Sequence, residues 1–133
     1  MTDGPPEIHL FVYGTLRSGG VAAWLLRGCR LVGPGAVAGT LYDLGAYPAL
    51  VLGEDSRVEG EVWRCPPGLL VRLDEYEGVA EGLFGRTEVE AAGVRCWTYV
   101  AGPLLLPGLA PQRRIAAGCW PPGAGEGGGG AGT

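Results

Sequence analysis

Short runs of strand-forming residues recur along this chain, and their spacing limits the folds that it can adopt. The first run, residues 8–13 (IHLFVY), is almost continuously apolar and stops at Gly14, which is typical of a buried strand. Five further runs are divided by Gly, Asp and Ser and lie at residues 36–42, 47–52, 57–64, 84–91 and 94–100. Ala92-Gly93 predicts a hairpin turn between the last two. Many short strands at this spacing predict a small barrel or a strongly curled sheet with helices at its edges.

The chain has the length and composition of one globular domain followed by a flexible tail. It has 133 residues, of which 47% are hydrophobic, and this is enough apolar material for a core of ordinary size. Glycine makes up seven of the last eleven residues, which is typical of a flexible segment. We therefore expect a single domain at residues 1–122 and a Gly-rich tail at residues 123–133.

The charge distribution argues against several classes of partner. The net charge is −4, and the ten basic residues are all Arg and form no basic face. We therefore expect neither a nucleic-acid partner nor an acidic membrane surface. No apolar run approaches the ~20 residues of a membrane span, and the opening MTDGPPE is unlike a signal peptide. We expect a cytoplasmic protein that is a monomer or a weak homodimer.

The cysteines do not form a metal-binding pattern. They are spaced far apart, without a C-x-x-C pair, at Cys29, Cys65, Cys96 and Cys119. Structural zinc sites normally contain such local pairs, and the chain offers only one histidine, His9, to complete a site. We therefore expect buried, reduced thiols and no metal.

The second of two predicted helices, which lies between Pro66 and Gly78, carries a carboxylate on its apolar side. Pro66-Pro67 indicates the start of this helix and Gly78 its end. At helical spacing, an arc of roughly 120° collects the side chains of Leu69, Leu70, Leu73, Tyr76 and Glu77. Burial and the helix dipole would both raise the pKa of Glu77 toward neutrality, as a proton-transfer group requires. The alternative is that Glu77 turns into solvent beyond a frayed helix end.

A glycine turn follows the first strand and offers a second candidate site. In residues 13–20 (YGTLRSGG) the strand enters a turn whose backbone N–H groups could bind a carboxylate or a phosphate. Gly14 would let a ligand approach the backbone closely, and Thr15 adds a hydroxyl. The P-loop pattern is absent, so an ordinary strand-to-helix turn is the alternative. Residues 21–29 (VAAWLLRGC) then predict a short helix.

Taken together, these two segments resemble the gamma-glutamylcyclotransferase-like family, which includes gamma-glutamylamine cyclotransferase and the cyclotransferase of butirosin biosynthesis. The resemblance rests on FVYGTLR at residues 11–17 and LDEYEG at residues 73–78. It extends in the family's order through YPALV (47–51), VEGEVW (58–63), FGRT (84–87), CWTYV (96–100) and GCW (118–120). The similar region runs from Leu10 to Trp120.

The resemblance implies a fold, a reaction and a set of roles. The fold would be α+β, a small mixed β-barrel of about six strands with flanking short helices and a cavity at one end. The reaction, of transferase or lyase type, would cyclise a gamma-glutamyl amine or peptide to 5-oxoproline and release the amine, without a cofactor. Glu77 would be the catalytic base and then acid. The substrate's α-carboxylate would lie on backbone N–H groups of Tyr13, Gly14, Thr15 and Leu16.

Two departures from the family affect the substrate pocket. Phe84 stands where relatives often have Tyr, so the pocket would lack that hydroxyl, and Cys119 stands where many relatives have Asp. Two other functions stay open. The same fold could be a small-molecule binding or regulatory module without turnover. Residues 104–107 (LLLP) and the tail could instead form a docking arm for another protein.

Overall fold

The computed structural model of this chain describes residues 7–20 and 22–120, which form a mixed five-stranded sheet in the order β2-β3-β1-β5-β4. The strands are β1 (Ile8–Val12), β2 (Arg30–Asp43), β3 (Pro48–Cys65), β4 (Phe84–Ala91) and β5 (Val94–Ala101). Neighbouring strands run antiparallel, except that β1 and β5 run parallel. The predicted α+β class and mixed sheet are confirmed. The predicted tail, residues 123–133, lies outside the described residues.

Two of the predicted strand runs are halves of one long strand. Residues 47–52 and 57–64 are joined within β3 because the intervening GEDS segment continues as extended chain. The pairing with β2 skips this segment, which forms a bulge in β3. Ala38 pairs with Arg57, and the next residue, Gly39, pairs with Leu52. The hydroxyl of Ser56 closes the bulge by donating to the Gly39 carbonyl at 2.6 Å. Local sequence alone does not distinguish such a bulge from a loop.

The second predicted helix is confirmed, whereas the first is only a single turn. Helix α1 spans Leu69–Tyr76 and ends at Gly78, whose φ of 66° is the left-handed conformation that glycine adopts most easily. In place of the predicted helix at residues 21–29, one 3-10 turn covers Ala23–Leu26 without a side-chain cap. Gly28, with φ 91°, redirects the chain there before a longer helix can form.

The predicted hairpin at Ala92-Gly93 is confirmed. Both residues have positive φ, 54° and 79°, as the tightest two-residue hairpin turn requires. Among the described residues no helix is long and apolar enough to cross a membrane.

The sheet curls so that one face becomes an interior and the other carries α1. The two edge strands approach each other where Gly35 of β2 faces Ala91 of β4, since a Cβ built on Gly35 would contact the Ala91 Cβ at 3.4 Å. The interior contains buried Phe11, Tyr13 and Val62. The chain after β5 covers the open end of this interior, where Ile115 N–H donates to Leu41 and Gly118 accepts from Glu59.

The opposite face is covered by α1. Its buried residues Leu69 and Leu73 belong to one cluster with Leu10, Val12 and Tyr99 of the sheet. Leu73 is fully buried. The helix therefore ends directly above the carboxyl end of β1, where the candidate turn begins.

Candidate functional site

One row of side chains crosses the α1-bearing face of the sheet at the carboxyl end of β1. Val12 pairs with Glu61 of β3. Leu10 pairs with Trp97 on the parallel strand β5, so Val12 and Tyr99, each two residues farther on, are neighbours. Tyr99 in turn pairs with Arg86 of β4. The row therefore places two charged side chains and a phenol beside the turn that follows β1.

Glu77 lies above this row and is fully buried. It caps α1 in helical geometry, and its N–H donates to the Leu73 carbonyl at 2.8 Å. Of the two placements that the sequence left open, the structure shows the buried one. The reason is that Gly78 turns the chain immediately after Glu77, so the helix end stays against the sheet.

Three tyrosines lie within electrostatic reach of the Glu77 carboxylate. Burial raises the pKa of Tyr13 well above its ordinary value, and the negative charge of Glu77 raises it further. Burial is also the main cause of the raised pKa values of Tyr76 and Tyr99, to which Glu77 again contributes. All three phenols therefore remain neutral near physiological pH. The charge of Glu77 thus acts on three neutral hydroxyl groups, and Glu77 itself is shielded from water.

The Tyr13 hydroxyl forms its hydrogen bonds within the fold. Its hydroxyl donates to the Tyr99 carbonyl at 2.7 Å and accepts from the Leu50 N–H at 3.3 Å. These bonds tie the end of β1 to β5 and β3. Any contact between Tyr13 and a ligand is therefore left to its backbone.

Asp74, one turn before Glu77, is the centre of a polar network. It accepts from Arg86 Nε at 2.9 Å and Nη2 at 3.2 Å, and from the Tyr99 hydroxyl at 2.6 Å. The Arg86 guanidinium also lies 4.7 Å from the centre of the Trp97 ring. Arg86 of β4 thus forms its ion pair with Asp74 of α1.

The predicted binding turn is buried and closed by its own backbone. Tyr13, Gly14, Thr15 and Leu16 are all buried. Arg17 N–H donates to the Gly14 carbonyl at 3.1 Å. The Thr15 hydroxyl lies 3.2 Å from the Tyr76 hydroxyl, so the turn contacts the last residue of α1.

A side chain from β3 also holds this turn. Glu61 Oε1 accepts from the Ser18 N–H at 2.8 Å and from Trp63 Nε1 at 3.1 Å. On the other side of the turn, Arg17 Nη1 donates to the Trp120 carbonyl at 2.6 Å and lies 3.7 Å from Cys119 Sγ. The turn is therefore fixed from both sides.

Sequence reasoning did not single out Glu61 or Tyr99 as parts of the site. Alternation within VEGEVW (58–63) places Glu61 and Trp63 on one face of a strand, and this was the available signal for Glu61. Its partner Ser18 is 43 residues away, so only the folded chain reveals the contact. For Tyr99 the sequence carries no comparable signal.

Phe84 lies at the start of β4 on the same face as Tyr99. It is almost fully buried, and its ring centre is 6.0 Å from that of Tyr47 in a tilted arrangement. It can therefore contribute an apolar wall to this side of the sheet. Within the described part of the chain, no three His, Cys, Asp or Glu side chains are grouped to hold a metal ion.

Comparisons with known proteins agree on one family. Residues 10–122 match the family profile described as gamma-glutamyl cyclotransferase, AIG2-like. A Vibrio cholerae protein named provisionally as a gamma-glutamylcyclotransferase is 40% identical over 95 residues, covering 69% of this chain and 81% of its own. The gamma-L-glutamyl-butirosin B gamma-glutamyl cyclotransferase of Niallia circulans is 39% identical over 103 residues, covering 69% and 65%.

The fold is shared with solved structures. The crystal structure of an AIG2-like protein from Mus musculus superimposes with a TM-score of 0.67 and covers 82% of this chain and 83% of its own. Its sequence is 23% identical to this chain, so this likeness concerns the fold.

Proposed function

Because this chain belongs to the AIG2-like gamma-glutamyl cyclotransferase family, we propose that it cyclises the gamma-glutamyl group of a small amine or peptide to 5-oxoproline. The observation that carries the proposal is the fully buried Glu77 carboxylate beside the closed turn after β1. A carboxylate in such a position is costly for stability. A proton-transfer function gives a reason for that cost.

The reaction joins two ends of one molecule. The substrate's α-amine attacks its own γ-carbonyl, a new C–N bond closes the five-membered lactam, and the bond to the departing amine breaks. Since both reacting groups belong to one molecule, holding the glutamyl arm bent supplies much of the acceleration, up to ~7–11 kcal/mol. Such a reaction requires no cofactor to supply a nucleophile.

Glu77 moves the proton. As a carboxylate it accepts a proton from the substrate's α-ammonium group, which frees the nucleophile. As a carboxylic acid it then gives this proton to the departing nitrogen. The second proton, which the attacking nitrogen loses as it becomes the lactam N–H, follows the same route, so that the amine leaves as an ammonium ion and Glu77 ends the cycle in its starting state. General acid–base catalysis of this kind contributes about 10²–10⁴-fold.

The turn after β1 positions the substrate. Backbone N–H groups of Tyr13, Gly14, Thr15 and Leu16 would hold the α-carboxylate, and Phe84 would pack against the glutamyl methylene groups. The contacts of the turn with Tyr76 and Glu61 support this role. They keep the turn in one conformation, so that less ordering is needed on binding.

The test is a substrate panel with a matched pair of variants. Purified protein is incubated with gamma-glutamyl amines, gamma-glutamyl dipeptides and glutathione, and 5-oxoproline is measured by mass spectrometry. Glu77→Gln should lower turnover by at least about a hundredfold. Glu75→Gln, which removes an exposed carboxylate from the same helix turn, should stay near the wild-type rate. Near-full turnover by Glu77→Gln would refute the mechanism.

A second readout separates turnover from binding. If no compound yields 5-oxoproline but several raise the melting temperature, the alternative of a binding or regulatory module is correct and the enzyme proposal is wrong. Ligand that binds only the folded state stabilises it by mass action. The thermal measurement therefore uses the same panel and the same variants.

A further inference from the structure

Two carboxylates lie at the end of α1, Asp74 in its last turn and Glu77 as its C-cap in helical geometry. Asp74 and Glu77 are three residues apart, and residues at this spacing lie on the same side of a helix, with Cβ atoms about 5–6 Å from each other. Tyr99 connects them, because its hydroxyl donates to Asp74 at 2.6 Å and its pKa is raised by burial, then by Asp74 and, to a smaller extent, by the charge of Glu77. Two such carboxylates repel each other when both are ionised.

Arg86 offsets the charge of Asp74. The ion pair is bidentate, at 2.9 and 3.2 Å, and both side chains are 29% exposed. An arginine stays charged at any working pH, and stacking over Trp97 holds the guanidinium in place. The compensating charge is therefore permanent and fixed in position.

Among the described residues, three phenols that the charge of Glu77 affects are themselves uncharged at neutral pH. They are those of Tyr13, which follows β1, Tyr99 of β5 and Tyr76 of α1. Arg17 is directed to the Trp120 carbonyl, and Glu61 is directed to Ser18 and Trp63. The Asp74–Arg86 pair, by contrast, places two full charges next to this turn of α1.

We propose that Arg86 is a positioning residue that acts through Asp74, cancelling its charge so that Glu77 can exchange a proton beside it. The proposal rests on the proposed proton-transfer role of Glu77 for its functional meaning. The charge balance itself is a property of the folded protein and can be measured without substrate. In this proposal Arg86 does not touch the reacting atoms.

The two charges predict opposite effects when each is removed alone. Arg86→Gln leaves Asp74 negative and uncompensated, so the midpoint at which Glu77 loses its proton should rise. The charge of Asp74 acting alone at about 6 Å sets the upper limit of this rise, about two pH units. Asp74→Asn leaves Arg86 positive, so the midpoint should fall. In Asp74→Asn/Arg86→Gln both charges are gone, and the midpoint should return close to that of the wild type.

The midpoint is measured by NMR on protein labelled with glutamate carrying ¹³C at the side-chain carboxyl. The Glu77 resonance is assigned by its loss in Glu77→Gln and then titrated without substrate. Arg95→Gln is the matched control. Arg95 lies on the same hairpin as Arg86 and forms an exposed ion pair with Glu88, in which Nη1 and Oε1 are 3.2 Å apart. This variant should leave the midpoint unchanged.

The outcomes distinguish this proposal from the proposed function. Opposite shifts in the two single variants, with recovery in the double variant, support the charge balance. Shifts in the same direction, or an Arg86→Gln midpoint equal to that of Arg95→Gln, would overturn it. If Arg86→Gln does not fold, Asp74→Asn and the double variant still give different expectations, a lowered midpoint in the first and a midpoint close to that of the wild type in the second. Failure of the proposed function would appear separately, as an absence of 5-oxoproline from a protein whose midpoints shift as expected.

Discussion

Replacing Glu61 by Ala should weaken substrate binding before it weakens the chemical step. Glu61 Oε1 accepts from the Ser18 N–H at 2.8 Å and from Trp63 Nε1 at 3.1 Å. The first bond restrains the turn that would hold the substrate's α-carboxylate, whereas the second stays within β3. Without the first bond the turn must be ordered when the substrate binds, and this ordering reduces affinity.

The size of the effect follows from these two bonds. A hydrogen bond to a charged acceptor contributes about 1.5–3 kcal/mol when shielded. Ser18 is exposed, so about 1 kcal/mol is a better value for its bond. This corresponds to a roughly fivefold increase in KM, with kcat little changed. Loss of both bonds should lower the melting temperature by about 6 °C.

The assay compares KM, kcat and melting temperature across three variants. Glu61→Ala should change KM and the melting temperature, whereas Trp63→Phe removes only the bond within β3 and should change the melting temperature alone. Glu59→Ala, an exposed carboxylate on the same strand, should change neither by much. If Glu61→Ala lowers the melting temperature but leaves KM unchanged, the turn is not positioned by Glu61 or does not hold the substrate, and the reasoning is refuted.

Three further predictions concern stability. Gly118→Ala should lower the free energy of unfolding in urea by about 3 kcal/mol, because Gly118 has φ 66° and an added Cβ would overlap a backbone carbonyl of β3. The control Gly93→Ala, at φ 79° with open space around the added Cβ, should lower it by only about 1 kcal/mol. Equal losses in the two variants would contradict the overlap at Gly118. Leu73→Ala should cost about 3 kcal/mol, because Leu73 is fully buried; a loss below about 1 kcal/mol would show that α1 packs loosely. Burial raises the pKa values of Tyr13 and Tyr99 in the folded state. The neutral phenols therefore make their full contribution to the free energy of unfolding below about pH 10. This contribution is lost as the pH rises further, by up to about 1.4 kcal/mol per pH unit for each group. The urea midpoint should therefore decrease as the pH rises from about 9 to about 11, and it should decrease less steeply in Tyr13→Phe. Identical slopes in the two proteins would contradict the assignment of this pH dependence to Tyr13.

The parts of the fold that the sequence predicts are those determined by local backbone chemistry. Pro66-Pro67 and Gly78 mark the bounds of α1 because each restricts or permits particular φ values. Ala92-Gly93 likewise marks the hairpin, where both residues need positive φ. These features depend on a few neighbouring residues, and the structure confirms all of them.

The parts that the sequence does not predict depend on partners far along the chain. The GEDS segment has the composition of a loop, yet β2 pairs on both sides of it and keeps it within β3. Glu77 is the C-cap of α1, and the helix pattern does not show whether the chain stays helical at this end. Its burial depends on the packing of α1 against strands far along the chain, which the helix pattern cannot indicate.

The register between β1 and β3 shows how a local residue preference determines a contact between distant parts of the chain. A shift of one residue would turn Glu61 to the opposite face and remove it from the turn. Gly60 restricts that register, because a Cβ at this position would overlap the Val12 carbonyl and lie 2.7 Å from the Phe11 ring. Only glycine lets β1 approach so closely at this point, and the approach brings Val12 beside Glu61. A residue that ordinarily weakens a strand is therefore a condition for assembling the site.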